Sequence, residues 1–239
     1  MNVIKLIGFN LCLSMALSPF NASAVVVNGG FETSLSSWSS TGDVMTEDGF
    51  YSGSGPTEGS SQAILTTMSD WGDFTPGLSF NDAVDTASME SFLGLSVGTL
   101  GSYDAYEGSA IMQTFTASAG EILSFDWNFL TDDGGNSGDT AFVIVDGIFT
   151  TLADASTSLL SSASGFFLEE TGYNTFSFDI AESGSHTIAF GVFDTIDGSG
   201  ASGLLVDNVN LVSVSVPEPS TLALMLLGGF GLLLTQKRC

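Results

Sequence analysis

The chain has 239 residues, 44% of them hydrophobic, with 27 Asp and Glu against 3 Lys and Arg, for a formal charge of −24; this length suits one large or two small domains. Charged residues make up only 13% and nearly all share one sign, so Ser, Thr, Asn and Gly must supply most of the polar surface, and nucleic acid is a poor partner. The cations Lys5, Lys237 and Arg238 all lie near the ends; residues 25–216 hold every acid except Glu218, a single histidine, His186, and no Lys or Arg.

Taken in chain order, Lys5 precedes an apolar run over 11–17, Pro19 follows, and Ala22-Ser23-Ala24 places small residues where a signal peptidase reads them. The run is too short for a membrane anchor, so residues 1–24 read as a secretory signal peptide and Val25 as the mature N-terminus. Cys12 leaves with it, and residues 25–216 contain no cysteine, so stability rests on packing and not on disulfides. The Ser/Gly-rich stretch 52–61 reads as a surface loop. A short helix is expected over 81–93, capped by Asn81 or Asp82 and stopped by Gly94, and another over 152–160. Strands are expected over 110–116, 141–148, 186–193 and 204–214. The clearest period-two runs are Leu123, Phe125, Trp127 and Phe129, and Phe176, Phe178 and Ile180. Gly-rich turns separate these pieces and no fixed repeat occurs, which predicts an all-β fold, an antiparallel β-sandwich of jelly-roll type.

Asp207 shares its parity with Leu205, Val209 and Leu211, which draws its carboxylate inward if that row faces the core. A buried charge needs compensation. Without Lys or Arg, the choices are backbone N–H groups, protonation, His186 or a metal ion, and calcium, a hard cation with oxygen ligands, suits an exported protein. Two further loops are rich in oxygens, one with Asp132, Asp133 and Asp139, the other with Asp194 and Asp197, although neither has the spacing of an EF-hand. One histidine and no cysteine exclude the usual transition-metal cages. No Gly-x-Ser-x-Gly elbow or Walker ending is present, and His186, expected on a strand edge, has no evident partner, so a non-catalytic protein is expected. Trp38, Trp71, Tyr103 and Tyr106 sit outside the clearest alternating runs and are candidates for stacking sugar rings.

Two segments resemble known families. Pro217-Glu218-Pro219, an apolar stretch over 221–234 and the tail Gln236-Lys237-Arg238-Cys239 closely resemble the PEP-CTERM sorting signal. The resemblance implies that an exosortase, a membrane-embedded transpeptidase of exopolysaccharide-producing Gram-negative bacteria, recognises Pro217, Glu218 and Pro219 and removes a transmembrane helix. The basic end would stay cytoplasmic and residues 25–216 would face outward. The second resemblance is carried by Asn28-Gly29-Gly30-Phe31-Glu32 with Trp38, and by Leu204-Leu205-Val206-Asp207-Asn208-Val209. These are similar to the first and last strands of jelly-roll carbohydrate-binding modules, where the corresponding glutamate and aspartate often hold a structural calcium, here Glu32 and Asp207. Asn208 stands where those families often have a second aspartate. The expectation is an exported surface or matrix protein with a structural or adhesive role in a polysaccharide-rich biofilm or floc; the alternative is a calcium-stabilised carbohydrate-binding module.

Overall fold

A computed structural model describes residues 25–68, 82–133, 138–157, 159–195 and 200–213. Among these the chain forms fourteen strands: β1 (Glu32–Leu35), β2 (Ser39–Thr41), β3 (Asp43–Glu47), β4 (Gln62–Thr66), β5 (Val84–Asp85), β6 (Ala105–Ala117), β7 (Glu121–Thr131), β8 (Thr140–Val145), β9 (Ile148–Asp154), β10 (Ser161–Ser162), β11 (Glu169–Glu170), β12 (Asn174–Asp179), β13 (Gly184–Thr195) and β14 (Ser202–Ser213). One α-helix, α1 (Thr86–Leu93), and one short 3-10 helix (Leu100–Tyr103) lie between β5 and β6. All strand pairing is antiparallel. The first sheet runs β10-β11-β7-β14-β4-β3, with β12 also on β7, and the second runs β2-β6-β13-β8-β9, with β5 on β6. The two sheets face each other as the expected sandwich.

Alternation in β7 and β12 is the physical basis of that sandwich. Leu123, Phe125, Trp127 and Phe129 point from β7 into the core, where Leu65, Ile111, Val143, Phe190 and Val206 meet them from both sheets. Phe125 stands edge-on to Phe190 at 4.7 Å between ring centres. Each such side chain contributes about 1.5–3 kcal/mol by leaving water, so this layer dominates stability. Two satellite cores lie on the outer faces. Met89, Leu100, Phe142 and Phe193 fill the space under α1, and Ile64, Leu130, Phe167 and Leu205 cover the first sheet.

Several local expectations are corrected. The first helix begins later than expected, capped by Asp85, whose carboxylate accepts from Ser88 N at 3.0 Å, and Gly94 ends it in the left-handed region at φ 68°. The described residues of 152–160 do not form the expected helix. Leu152 to Asp154 belong to β9, paired with β8 across a two-residue turn in which Asp146 (φ 50°) and Gly147 (φ 79°) both take positive φ. That turn suits the twist of a hairpin, and pairing overrides the helical composition of the segment. In β14 the parity row is broken: Asp207 pairs with Asp126 but Asn210 pairs with Ser124, so two residues oppose one. Asn208 takes φ 52° at this bulge. Leu204 and Val206 therefore face the main core before the bulge and Val209 after it, whereas Leu205 and Asp207 look out of the sandwich.

Candidate functional site: an acidic cleft at a sheet edge

Strand β3 ends at Glu47, and the Gly/Ser-rich segment 48–61 must then return to β4, which pairs with β3 at Glu47 and Gln62. This loop has few apolar side chains to fold it. Carboxylates hold it instead, by collecting its backbone N–H groups. Glu47, 6% exposed, accepts from Tyr51 N at 2.9 Å and Ser52 N at 3.3 Å through Oε2, and from the Ser52 hydroxyl and Gln62 Nε2 through Oε1. Asp48 accepts from Phe50 N at 3.1 Å. Farther along, Asp207 Oδ2 accepts from Thr57 N at 2.7 Å and Glu58 N at 2.8 Å, and Glu32 Oε1 from Ser60 N at 2.7 Å and Ser61 N at 2.9 Å.

Between the loop and β3 lies an open cleft of about 460 Å³, lined by Thr46, Glu47, Asp48, Phe50, Tyr51, Ser60 and Ser61. Phe50 is 73% exposed, an unusual position for a ring that gains by leaving water. It meets Tyr51 edge-on at 5.1 Å, and Tyr51 stacks on the exposed Phe166 at 6.0 Å. Beside the cleft, the Tyr173 hydroxyl donates to Gln62 Oε1. Burial raises the Tyr173 phenol far above its ordinary range, and the negative charges of Asp207, Glu47, Asp126 and Glu170 add to the shift. This outer face of the first sheet therefore carries a negative field with no cation beside it. An arrangement of exposed rings and hydrogen-bonding groups can hold a ligand with both an apolar face and polar edges.

The sequence singled out Glu32 and Asp207, and the structure brings them to the two ends of one loop segment, 57–61, which both of them hold. Asp207 is fully buried, under the loop and not in the main core. Backbone amides compensate its charge, yet burial outweighs them and its pKa is raised, while hydrogen bonds from Ser60 lower that of the exposed Glu32. Glu58 was not singled out. A Cβ at Gly30 would lie 1.9 Å from Glu58 Oε2, so the missing side chain lets the Glu58 carboxylate reach the Asn28–Phe31 turn, with Asp207 Oδ1 3.9 Å from the same point. This donor set is all oxygen, as a hard divalent cation requires, although among the described residues no three Asp, Glu, His or Cys side chains form a metal-holding group.

The other predicted positions fall elsewhere. Asp139 is buried and accepts from Thr195 N at 3.0 Å and Ser202 Oγ at 2.7 Å; Asp132 accepts from Leu168 N at 2.7 Å; Asp133 follows Asp132 in the chain, and the buried Asp194 precedes Thr195. Asp197 and Trp71 lie outside the described residues, as do Pro217, Glu218 and Pro219 and the apolar stretch 221–234. Trp38 is corrected as a sugar platform: it is 7% exposed, packed on Phe31 at 5.3 Å and Phe190 at 5.9 Å, with its indole N–H on Asn28 O. Tyr103 and Tyr106 are exposed, but Tyr103 stacks on Phe149 at 5.0 Å, and both belong to the region of the second sheet. His186 is corrected from edge residue to buried partner, with Nδ1 2.6 Å from Asp146 Oδ2 and Nε2 3.0 Å from Glu182 O. Phe50, Tyr51 and Phe166 were missed; adjacent rings inside a Gly/Ser-rich stretch were the one available signal. Among the described residues no helix is long and apolar enough to cross a membrane.

Comparison with known proteins adds one motif and several likenesses of fold. Residues 215–238 match the PEP-CTERM protein-sorting motif. No curated protein matches the sequence. Among solved structures, TmCBM61 in complex with β-1,4-galactotriose is 14% identical, covering 79% of this chain and 97% of its own, with a TM-score of 0.41. The K1 cleaved adhesin domain of Lys-gingipain from Porphyromonas gingivalis W83 is 10% identical, covering 78% and 96%, with a TM-score of 0.42. A family 16 carbohydrate-binding module is 8% identical, covering 79% and 99%, with a TM-score of 0.39. Nothing about a ligand of this chain follows from likenesses at this level. The chain is a β-sandwich that carries a PEP-CTERM sorting motif over residues 215–238, which marks it as a protein exported and sorted to the cell surface.

Proposed function

We propose that this protein is a non-catalytic, glycan-binding component of a polysaccharide-rich cell surface or extracellular matrix, with an adhesive or structural role in biofilm or floc. The observation that carries the reading is the open cleft beside β3, where the exposed Phe50 and the Tyr51 ring offer flat apolar faces next to Thr46, Asp48, Ser60 and Ser61. Sugars present C–H faces and hydroxyl edges together, and this pairing of ring and polar group is what such a surface fits. In this reading signal peptidase removes residues 1–24, residues 25–216 cross the inner membrane of a Gram-negative cell and fold outside it, and exosortase acts at Pro217, Glu218 and Pro219 while residues 221–234 rest in the membrane. Calcium belongs to the same proposal as a structural ion held by Asp207 and Glu58 at Gly30, with Glu32 fixing Ser60 and Ser61 beside them.

The exported protein run through gels containing soluble polysaccharides tests the binding. Retardation by at least one glycan is expected, reduced about tenfold or more by Phe50→Ala, since stacking of one ring in binding sites is worth roughly 1–3 kcal/mol. Unretarded migration throughout, or retardation that Phe50→Ala leaves intact, would remove the cleft from consideration.

A further inference from the structure

The cleft is built to refuse anions. Its loop has a run of backbone N–H groups of the kind that cradle phosphates and carboxylates elsewhere, but the protein's own acids occupy them. Phe50 N goes to Asp48, Tyr51 N and Ser52 N to Glu47, Thr57 N and Glu58 N to Asp207, and Ser60 N and Ser61 N to Glu32. The Ser60 hydroxyl also donates to Glu32, at 2.8 Å. No Lys or Arg exists between residues 25 and 216 to take over. What the walls offer outward is mainly acceptors, chiefly the exposed Asp48 carboxylate and hydroxyl lone pairs, beside the ring of Phe50.

Three ligand classes separate on these facts. A uronate or sulfated sugar meets carboxylates and no free cation. A neutral sugar gains from the rings but has only its hydroxyls to donate. A sugar bearing an ammonium group has three N–H donors for the acceptors, a charge opposite to Glu47 and Asp48, and the added attraction of a cation for an aromatic face. We propose that the cleft takes an amino-sugar glycan with free ammonium groups in preference to its acetylated, neutral counterpart and to any uronate. The assignment rests on the glycan-binding reading above and names the substrate class for it.

Short oligomers test this without the indiscriminate attraction between long polyelectrolytes. Titration calorimetry on the exported protein would compare a glucosamine tetramer, an N-acetylglucosamine tetramer and a galacturonate tetramer at 50 and 500 mM NaCl. The expected result is binding of the glucosamine tetramer about three- to tenfold tighter than the acetylated one, the worth of an exposed ion pair with a cation–aromatic contact. That margin should shrink at high salt, and the galacturonate should not bind. Asp48→Asn, whose side-chain oxygen can still accept from Phe50 N, should bring the two glucosamine forms level. Asp179→Asn, an exposed acid on β12 away from the cleft, should change nothing. Equal or tighter binding of the acetylated tetramer, still lost in Phe50→Ala, would overturn the charge preference and leave glycan binding standing. A loss of equal size in Asp179→Asn would overturn it as non-specific attraction. Binding of none of the three would overturn the amino-sugar assignment, and unretarded migration in every polysaccharide gel would separately overturn glycan binding.

Discussion

At the scale of single residues, Glu32 and Asp207 do related work with opposite electrostatics. Hydrogen bonds from Ser60 hold Glu32 below its ordinary value of 4.5, so the stability it contributes is present above that value and is lost as pH falls through its lowered folded pKa. Burial holds Asp207 above 3.8 despite its amide donors, so its contribution is greatest when protonated and declines as pH rises through the raised folded value. In chelator, carbon-detected carboxyl NMR should place the Asp207 midpoint above 3.8 and that of Glu32 below 4.5. Calcium at Asp207 would favour its ionised form, so millimolar calcium should pull that midpoint down and raise the melting temperature by several degrees. An Asp207 midpoint and a melt that both ignore calcium would exclude a cation there. The importance of Asp207 was legible from a carboxylate in an apolar row without a cation to pair it. Its partners were not, because Thr57 and Glu58 lie about 150 residues away in sequence and join it through backbone groups that carry no sequence signal.

At the scale of elements, legibility followed how strictly one face is buried. The alternation in β7 and β12 was plain because one side of each strand meets the main core. β9 was misread because Leu152, Ala153 and Asp154 have a helical composition, and a hairpin turn with β8 decided the outcome. β14 was recognised as a strand, but its parity row does not keep one face: the bulge after Asp207 shifts the period-two pattern in mid-strand, so Leu205 and Asp207 look outward and Val209 and Leu211 inward. Asn208 holds that bulge with φ 52° and its side-chain amide donates to Asp126 Oδ2 at 3.0 Å. Asn208→Val should cost about 1–3 kcal/mol, since a β-branched residue resists positive φ. Asn208→Gly should cost less, because only the side-chain hydrogen bonds, to Asp126 Oδ2 and from Asn210 Nδ2, are lost and φ is free. Urea midpoints at constant m-value would compare them, and equal midpoints for the two variants would remove backbone conformation as the reason for Asn at this place. The cleft was the least legible element of all. The form of its loop depends on acids contributed by β1, β3 and β14, so no local pattern in 48–61 announces it.

At the scale of the whole molecule, the decisive fact is that residues 25–216 hold every acid but Glu218, no Lys or Arg, and the single histidine His186. A compact domain of this size has a radius of gyration of roughly 16 Å. At 0.01 M salt the screening length is about 30 Å and each carboxylate feels nearly all the others, whereas at 1 M it is about 3 Å and only neighbours count. The unfolded chain spreads the same charges farther apart, so repulsion penalises the folded form more. Raising sodium chloride from 0.01 to 0.5 M in chelator at pH 7 should therefore raise the melting temperature, most steeply over the first 0.1 M. An unchanged melt would mean that amide donors compensate the acids locally and that net charge plays no part. Calcium and magnesium at equal ionic strength then separate screening from binding: the two ions screen alike, but the smaller magnesium demands a stricter octahedral shell and sheds its water reluctantly. A rise in melting temperature shared by both ions is the field of the whole domain, and any excess in calcium alone is a bound ion, which Asp207→Asn should abolish for the proposed site at Asp207 and Glu58.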